Sequence, residues 1–417
     1  MKEKKVIIVG AGIVGLSTAY YLNKAGCEVT VIDQNDGSNN CSYGNAGYVA
    51  PSHLVPLASP GIINQGLKWM LDSKSPFYIK PRLNLDLLKW GLLFKKASTD
   101  QRVKAAIPVL YELTVRSQEL YEEILQDEKI AAGYQKPGLL MICQKPESLR
   151  HEVELVKIAN RLGLSAHQID RTETEKLEPN IQYDMAGAVY FDCDAWMTPH
   201  RFMNSFKELL ALKGVNFQYN TEITDIKTQK GKIDSLSSTN GEFRADEFVL
   251  TSGAWTSLLM KKLNIFMPLQ AGKGYSFLIH PDKMTKLPSI LVEGKIATAP
   301  MLDGLRIAGT MEFAGINHSI NTKRINGIIE SLKEAIPAFR DHDFSNIKPW
   351  VGLRPVTPDG LPYIGQTSNY KNLHVGTGHA MLGWTLGPIT GQLIAEGIVK
   401  SRPSYHSALL KVERYNR

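Results

Sequence analysis

Apolar positions along the chain change their period several times, and each change marks an element. Val6-Ile7-Ile8-Val9 is an unbroken β-branched run, the pattern of a parallel strand buried on both faces. Residues 13–25 then take helical spacing, and Gly26 stands where a left-handed helix stop belongs. Val29-Thr30-Val31-Ile32 predicts a second strand. Helical periods recur at 103–125, with Pro108 near the start, and at 151–162, closed by Gly163. Residues 199–212 predict a helix and 215–219 a strand. Segments 224–238 and 242–251, parted at Asn240-Gly241, predict a β-meander. Runs at 268–280, 289–299 and 305–311 predict strands of a separate sheet, and 316–336 is mostly helical. Leu373-His374-Val375 is a last short strand before a helix reaching about residue 400.

Glycine turns sit where strands hand over to helices. Gly10-Ala11-Gly12-Ile13-Val14-Gly15 joins the first strand to the first helix, and Asp33, followed by Gln34, ends the second strand about 20 residues later. This order is a dinucleotide-binding unit with a physical basis. Gly10 permits the tight turn, Gly12 lets a pyrophosphate approach the backbone, and Gly15 lets the helix pack closely on the strand. Ile13 and Val14 open the helix whose free N–H groups and dipole face the phosphates, and Asp33 is placed to accept from a ribose hydroxyl. The C-terminus repeats strand, glycine turn and helix at Gly376-Thr377-Gly378-His379, with Gly253 in a third such turn. The two outer turns are expected to meet over one ligand, in two interleaved domains.

Composition narrows the class. With 417 residues, 43% hydrophobic and 21% charged, the chain can bury large cores and predicts two or three domains. Cys27, Cys41, Cys143 and Cys193 form no CxxC pair and no cluster at zinc spacing, which predicts a reducing compartment and no metal site. No run approaches the ~18 apolar residues of a membrane span, so a cytoplasmic location is expected. The net charge of +7 is dispersed, and no nucleic-acid motif accompanies it. Residues 67–96 are unusual: Trp69, Met70, Phe77, Tyr78, Trp90 and Phe94 interleave with Lys68, Lys74, Lys80, Arg82, Lys89, Lys95 and Lys96. The spacing predicts amphipathic helices around a turn at Ser75-Pro76. They suit a lid packed on the next domain, or peripheral contact with a membrane surface.

Four stretches together carry a family resemblance: 42–47 (SYGNAG), 273–276 (KGYS), 352–360 (GLRPVTPDG) and 377–385 (TGHAMLGWT). The chain resembles the bacterial D-amino-acid dehydrogenases, within the D-amino-acid oxidase, glycine oxidase and sarcosine oxidase family of FAD enzymes, over nearly its full length. Residues 194–199 depart from the broad-specificity branch, which leaves the substrate open. The resemblance implies an α/β fold. A glutathione-reductase-like FAD-binding Rossmann domain (1–50, 145–175, 197–258 and 344–417) interleaves with an α+β substrate domain on a large mixed sheet (51–144, 176–196 and 259–343). It implies FAD held non-covalently, with contacts from Ser42, Asn45, Ala46 and Gly47 and from Gly378, His379, Leu382, Gly383, Trp384 and Thr385. Gly253 would approach the adenine side.

The implied reaction is oxidative deamination of a D-amino acid, in a narrower version a cyclic, proline-like one, by hydride transfer from the α-carbon to flavin N5. An imine or 2-oxo acid results, and electrons pass to a quinone or other carrier. Arg354 is the expected carboxylate clamp, because a guanidinium fork binds a carboxylate bidentately. Tyr275 is a second candidate substrate contact or a core tyrosine. His379 would bring positive charge or a hydrogen bond to the flavin N1/O2 edge, and His53 would line the mouth of the site. The sarcosine oxidase branch activates O₂ with a lysine on a central strand, where this chain has Arg306 between Leu305 and Ile307. Two alternatives stand beside this reading: a glycine- or sarcosine-type oxidase using O₂, and a flavin-binding protein without turnover.

Overall fold

The computed structural model describes residues 4–70, 75–400 and 402–416, and for 67–70 the backbone course only. Lys74 and the side chains of Lys68, Trp69 and Met70 therefore lie outside the described residues. Two sheets organise the chain. The smaller runs in the order Tyr363–Gln366, Leu373–Thr377, Glu247–Leu250, Lys5–Val9, Glu28–Ile32, Asn216–Gln218, with every neighbouring pair parallel except the first. Its apolar β-branched strands are covered on both faces, as continuous runs require. On one side lies helix Ile13–Lys24, and helix Gly387–Val399 packs against it. The other side carries the three-stranded Ile223–Gln229, Lys232–Ser238, Gly241–Phe243 meander and helix Thr256–Lys262.

The larger sheet has nine strands. Eight follow the path Trp350–Val356, Gln270–Ile279, Gly304–Phe313, Ile296–Met301, Ser289–Leu291, Leu139–Cys143, Gly187–Phe191, Ala166–Ile169, and Phe77–Ile79 joins Gly304–Phe313. One of its faces is covered by helix Thr322–Ala335 through Ile325, Ile328 and Leu332.

Several sequence expectations shift. Glu247–Leu250 does not continue the meander: it pairs in parallel with Lys5–Val9, because its apolar residues complete the buried sheet. Residues 289–299 make two strands folded at Lys295, whose φ is +49°. Between helices Ile62–Met70 and Leu85–Ala97 lies strand Phe77–Ile79, not a simple turn. Ala166–Ile169 and Trp350–Val356, assigned by sequence to the nucleotide unit, hydrogen-bond in the large sheet. Helix Asp100–Glu128, assigned to the substrate unit, buries Leu113, Leu120 and Tyr121 in the nucleotide core. Among the described residues no helix is long and apolar enough to cross a membrane.

The C-terminal tail locks the turn that follows Trp350–Val356. Arg414 Nε and Nη2 donate to Asp359 Oδ2 and Oδ1 at 2.8 Å each, and the pair is 9% exposed on both sides. Burial alone would raise the Asp359 carboxyl. The guanidinium outweighs it and holds the carboxyl below its ordinary value. Arg414→Ala leaves that carboxylate buried and unpaired, so a loss of about 3–5 kcal/mol is expected in urea unfolding near pH 7. The pair's contribution is present above the ordinary aspartate range near pH 4. It disappears as pH falls through the depressed value, so wild type and variant should converge in acid.

Candidate active site

One cavity of about 1480 Å³ runs between the two sheets. That exceeds the ~300–1,000 Å³ of a pocket for one drug-sized ligand. At one end stands the first glycine turn. Gly10 has φ +111°, and a Cβ there would lie 2.7 Å from the Thr251 carbonyl oxygen. A Cβ on Gly15 would fall 1.9 Å from the Gly10 carbonyl, so this glycine serves the packing of helix on strand and does not border the cavity. At Gly12 the nearest atom to such a Cβ is Ser42 Oγ at 3.5 Å, which leaves the approach open. Asp33 Oδ2 accepts from Ala11 N–H at 2.8 Å and Oδ1 from Asn35 N–H at 2.9 Å, bracing the turn. Burial raises its carboxyl, and those two N–H groups pull it back. Asp33 and Gln34 border the cavity, as do Ile13, Val14 and Gly253.

The loop after the second strand is stitched to everything around it. Asn40 Nδ2 donates to the Ala11 carbonyl at 2.8 Å, and Ser42 Oγ accepts from Ile13 N–H at 3.0 Å. Ser276 Oγ of the large sheet donates to the Gly44 carbonyl at 2.8 Å. Thr385 Oγ1 of the C-terminal turn donates to the Tyr48 carbonyl at 2.9 Å. Ser42, Asn45, Ala46, Leu382, Gly383, Trp384 and Thr385 all border the cavity, so the two outer glycine turns do meet over one space. Gly47 and Gly378 do not border it. A Cβ on Gly47 would fall 2.0 Å from the Met197 carbonyl oxygen and one on Gly378 2.5 Å from Thr357, so both glycines shape the turns from behind. The Trp384 ring packs beneath the turn, stacked on Tyr121 and edge-on to Phe202.

Arg354 borders the same cavity from the large sheet. Its guanidinium lies over Gly274 of the neighbouring strand, where a Cβ would stand 1.9 Å from Nη1. Opposite Gly274 the pairing slips: Lys273 faces Glu312 while Tyr275 faces Gly309, a β-bulge that leaves Thr310 and Met311 against one residue. Thr310 takes φ +71°, a strained value for a β-branched residue, and its carbonyl accepts from Arg354 Nη1 at 2.8 Å. Burial lowers Arg354 to about 10, so it stays a cation at neutral pH.

Two expected roles narrow, and a third residue stands where it was expected. Tyr275 points away from Arg354, because strand alternation turns odd positions of Gln270–Ile279 toward helix Thr322–Ala335. Its hydroxyl donates to Glu312 Oε2 at 2.9 Å and accepts from Asn321 N–H, which ties the phenol into the core, while Tyr275 also borders the cavity. His379 is 2% exposed, with Nε2 set 2.9 Å from Thr390 Oγ1. Burial holds it down to about 3, so it is neutral and brings no positive charge. His53 borders the cavity, and burial lowers it to about 4. Sequence reasoning missed Cys41, whose Sγ accepts from Leu353 N–H at 3.3 Å beside Arg354. Burial raises this thiol, against the pull of Leu353 N–H and Arg354, so it is not a ready nucleophile. Among the described residues no cluster could hold a metal.

The sequence profile of the FAD dependent oxidoreductase family matches residues 5–397. A D-amino acid dehydrogenase of Granulibacter bethesdensis is 32% identical over 418 residues, 99% of each chain, and one of Helicobacter pylori is 32% identical over 94% of each. Among solved structures, the glycine oxidase of Geobacillus kaustophilus superposes with TM-score 0.79 at 20% identity over 99% of each chain. An L-proline dehydrogenase from P. horikoshii gives 0.78 at 17%, covering 100% of this chain and 98% of the other. The chain belongs to the FAD dependent oxidoreductase family.

The site fits that cofactor. The glycine cradle is open at Gly12, Asp33 stands at the ribose position of such units, and the cavity continues past the turns to Arg354. Gly12→Val should therefore fold and fail to load. A Cβ there has only Ser42 Oγ within 4 Å, so the added side chain stands in the phosphate approach, and FAD content of the purified protein should drop at least about tenfold, over 1.4 kcal/mol of binding. Far-UV circular dichroism should be unchanged.

Proposed function

We propose that this FAD dependent oxidoreductase oxidises the α-carbon of a D-amino acid, clamps the substrate carboxylate with Arg354, and passes electrons to a carrier other than O₂. The observation that carries the reading is Arg354: a half-buried cation in a slot left by Gly274, on the cavity that also holds the dinucleotide turns. FAD, when bound, supplies the acceptor for the hydride that leaves the α-carbon.

The chain's own residues do the positioning. Thr310 takes one N–H of the Arg354 guanidinium and leaves the rest of the fork for a carboxylate. Leu57, Phe77, Trp90, Met311 and Phe313 border the cavity, exclude water and strengthen that ion pair. The D configuration rests on the names of the relatives at about a third identity. Non-covalent FAD is supported by the raised Cys41 thiol, and acid precipitation should release the flavin.

Two features support a carrier over O₂. Arg306 is enclosed and donates to the Tyr43 carbonyl at 3.1 Å. Lys273 Nζ is bound by Asn317 and Ser319 and does not border the cavity, so no lysine of these strands serves oxygen chemistry there. The acceptor is proposed to be a lipid-soluble quinone reached by peripheral docking. Helix Leu85–Ala97 exposes Leu85, Leu88 and Leu92 at 60–74%, beside Lys89, Lys95 and Lys96, while its Trp90 and Phe94 border the cavity. An apolar stripe with a basic rim suits an anionic bilayer.

Anaerobic mixing with D- and L-amino acids, D-proline, hydroxyproline epimers, glycine and sarcosine tests the reading. Bleaching by D-amino acids, with slow recovery in air and fast recovery with a quinone, is expected. Bleaching chiefly by glycine or sarcosine with fast recovery in air would make it an oxidase, and no bleaching would leave a protein without turnover. Arg354→Ala should cost about 2–5 kcal/mol, roughly 30- to 5,000-fold in kcat/KM, while FAD content stays the same. Leu88→Glu with Leu92→Glu should abolish sedimentation with phosphatidylglycerol vesicles and leave bleaching intact.

A further inference from the structure

Behind His53 lies a buried polar chain that the reading above does not use. Asp194 is wholly buried in the connection between Gly187–Phe191 and Ala195–Trp196. Among the described residues it forms no ion pair. Its Oδ2 accepts from Ser52 Oγ at 2.5 Å and its Oδ1 from Ser52 N–H at 3.0 Å, with Cys193 Sγ 3.5 Å away. Ser52 Oγ lies in turn 3.3 Å from His53 Nδ1, and His53 borders the substrate cavity.

A brace for one backbone N–H needs no charge, and burying a carboxylate without a cation is costly. The arrangement does more than brace. Above its raised value Asp194 is a carboxylate, which accepts only, so Ser52 O–H points at Asp194 Oδ2. The Ser52 oxygen then offers its lone pair to His53, so Nδ1 carries the ring proton and Nε2 is left with a lone pair. We propose, building on the amino-acid oxidation proposed above, that Asp194 is a positioning residue: through Ser52 it holds His53 in the tautomer whose Nε2 accepts the proton that a substrate ammonium must lose before its α-hydride can leave.

The proton count closes. Ammonium and neutral imidazole become neutral amine and imidazolium, and no oxidant or reductant is consumed. The His53 Nδ1–H stays on Ser52 and the Ser52 hydroxyl stays on Asp194, so the new positive charge stands one hydroxyl from a carboxylate. Burial keeps His53 neutral beforehand, at about 4, and raises Asp194 to about 7 against the pull of Ser52. The other titratable groups facing Asp194 are Asp192, Cys193 and Tyr48. His53 has no charged neighbour that moves it.

Asp194→Asn tests the relay by reversing it. Ser52 N–H still needs the amide oxygen, so the amide nitrogen faces Ser52 Oγ, the hydroxyl turns to His53 Nδ1, and Nε2 becomes a donor. Anaerobic stopped-flow bleaching by a D-amino acid that reduces the wild type should slow by about 10²–10⁴-fold near neutral pH, the range of a lost general base. The loss should shrink as pH rises past the substrate's own amine value. Ser52→Ala should behave likewise, Ser52→Thr should restore the rate, and FAD content and inhibition by a simple carboxylate should stay unchanged. A rate loss equal at every pH, or no loss in either variant, would overturn the relay. If no amino acid reduces the wild type, the function above fails, and ¹⁵N NMR of the histidine ring still decides the tautomer. Nδ1–H in wild type and Nε2–H in Asp194→Asn support the relay, and the same tautomer in both overturns it.

Discussion

The site depends on one constraint: the loop of residues 40–50 must satisfy three neighbours at once. Its polar atoms reach the first glycine turn through Asn40 and Ser42, the large sheet through the Gly44 carbonyl, and the C-terminal turn through the Tyr48 carbonyl. Buried backbone groups tolerate no vacancy, so each partner is obligatory. The two sheets are thereby held at a set distance, and the cavity is the space that this distance leaves.

Within that space the large sheet supplies the Arg354 cation, and it does so by breaking its own regularity. A bulge opposite Gly274 and a strained Thr310 turn a carbonyl toward Arg354 and clear the room for its guanidinium. Local strain of about 1–3 kcal/mol persists only where the surroundings over-determine it. Here the flanking pairs on Gly304–Phe313 and Trp350–Val356 do so. On the other face of the same strand, Lys273, Tyr275 and Glu312 form a buried network that belongs to the core.

Much of the fold was legible beforehand where period and turn chemistry agreed. The unbroken run at Val6–Val9, the glycines at 10, 12 and 15 and the acid at 33 define their unit without help from the rest of the chain. What misled was contact at long range. Glu247–Leu250 looked like the last arm of a meander because hairpin neighbours are the local default, yet the parallel edge of Lys5–Val9 claimed it. Tyr275 stood open between a substrate contact and a core tyrosine, because only the register of the pleat decides which way its hydroxyl turns. The histidine at 379 invited a charge that burial removes.

Residue type and spacing by themselves determined the dinucleotide unit, which rests on local geometry: a turn that only glycine makes and a helix end. The resemblance carried by four stretches pointed to FAD and to Arg354. Tertiary structure alone decided which side of a strand faces the cavity, which titratable groups are neutral, and that Asp194 and Ser52, distant in sequence, stand in line behind His53. Those outcomes depend on sheet register and on burial, and both are set by partners far along the chain.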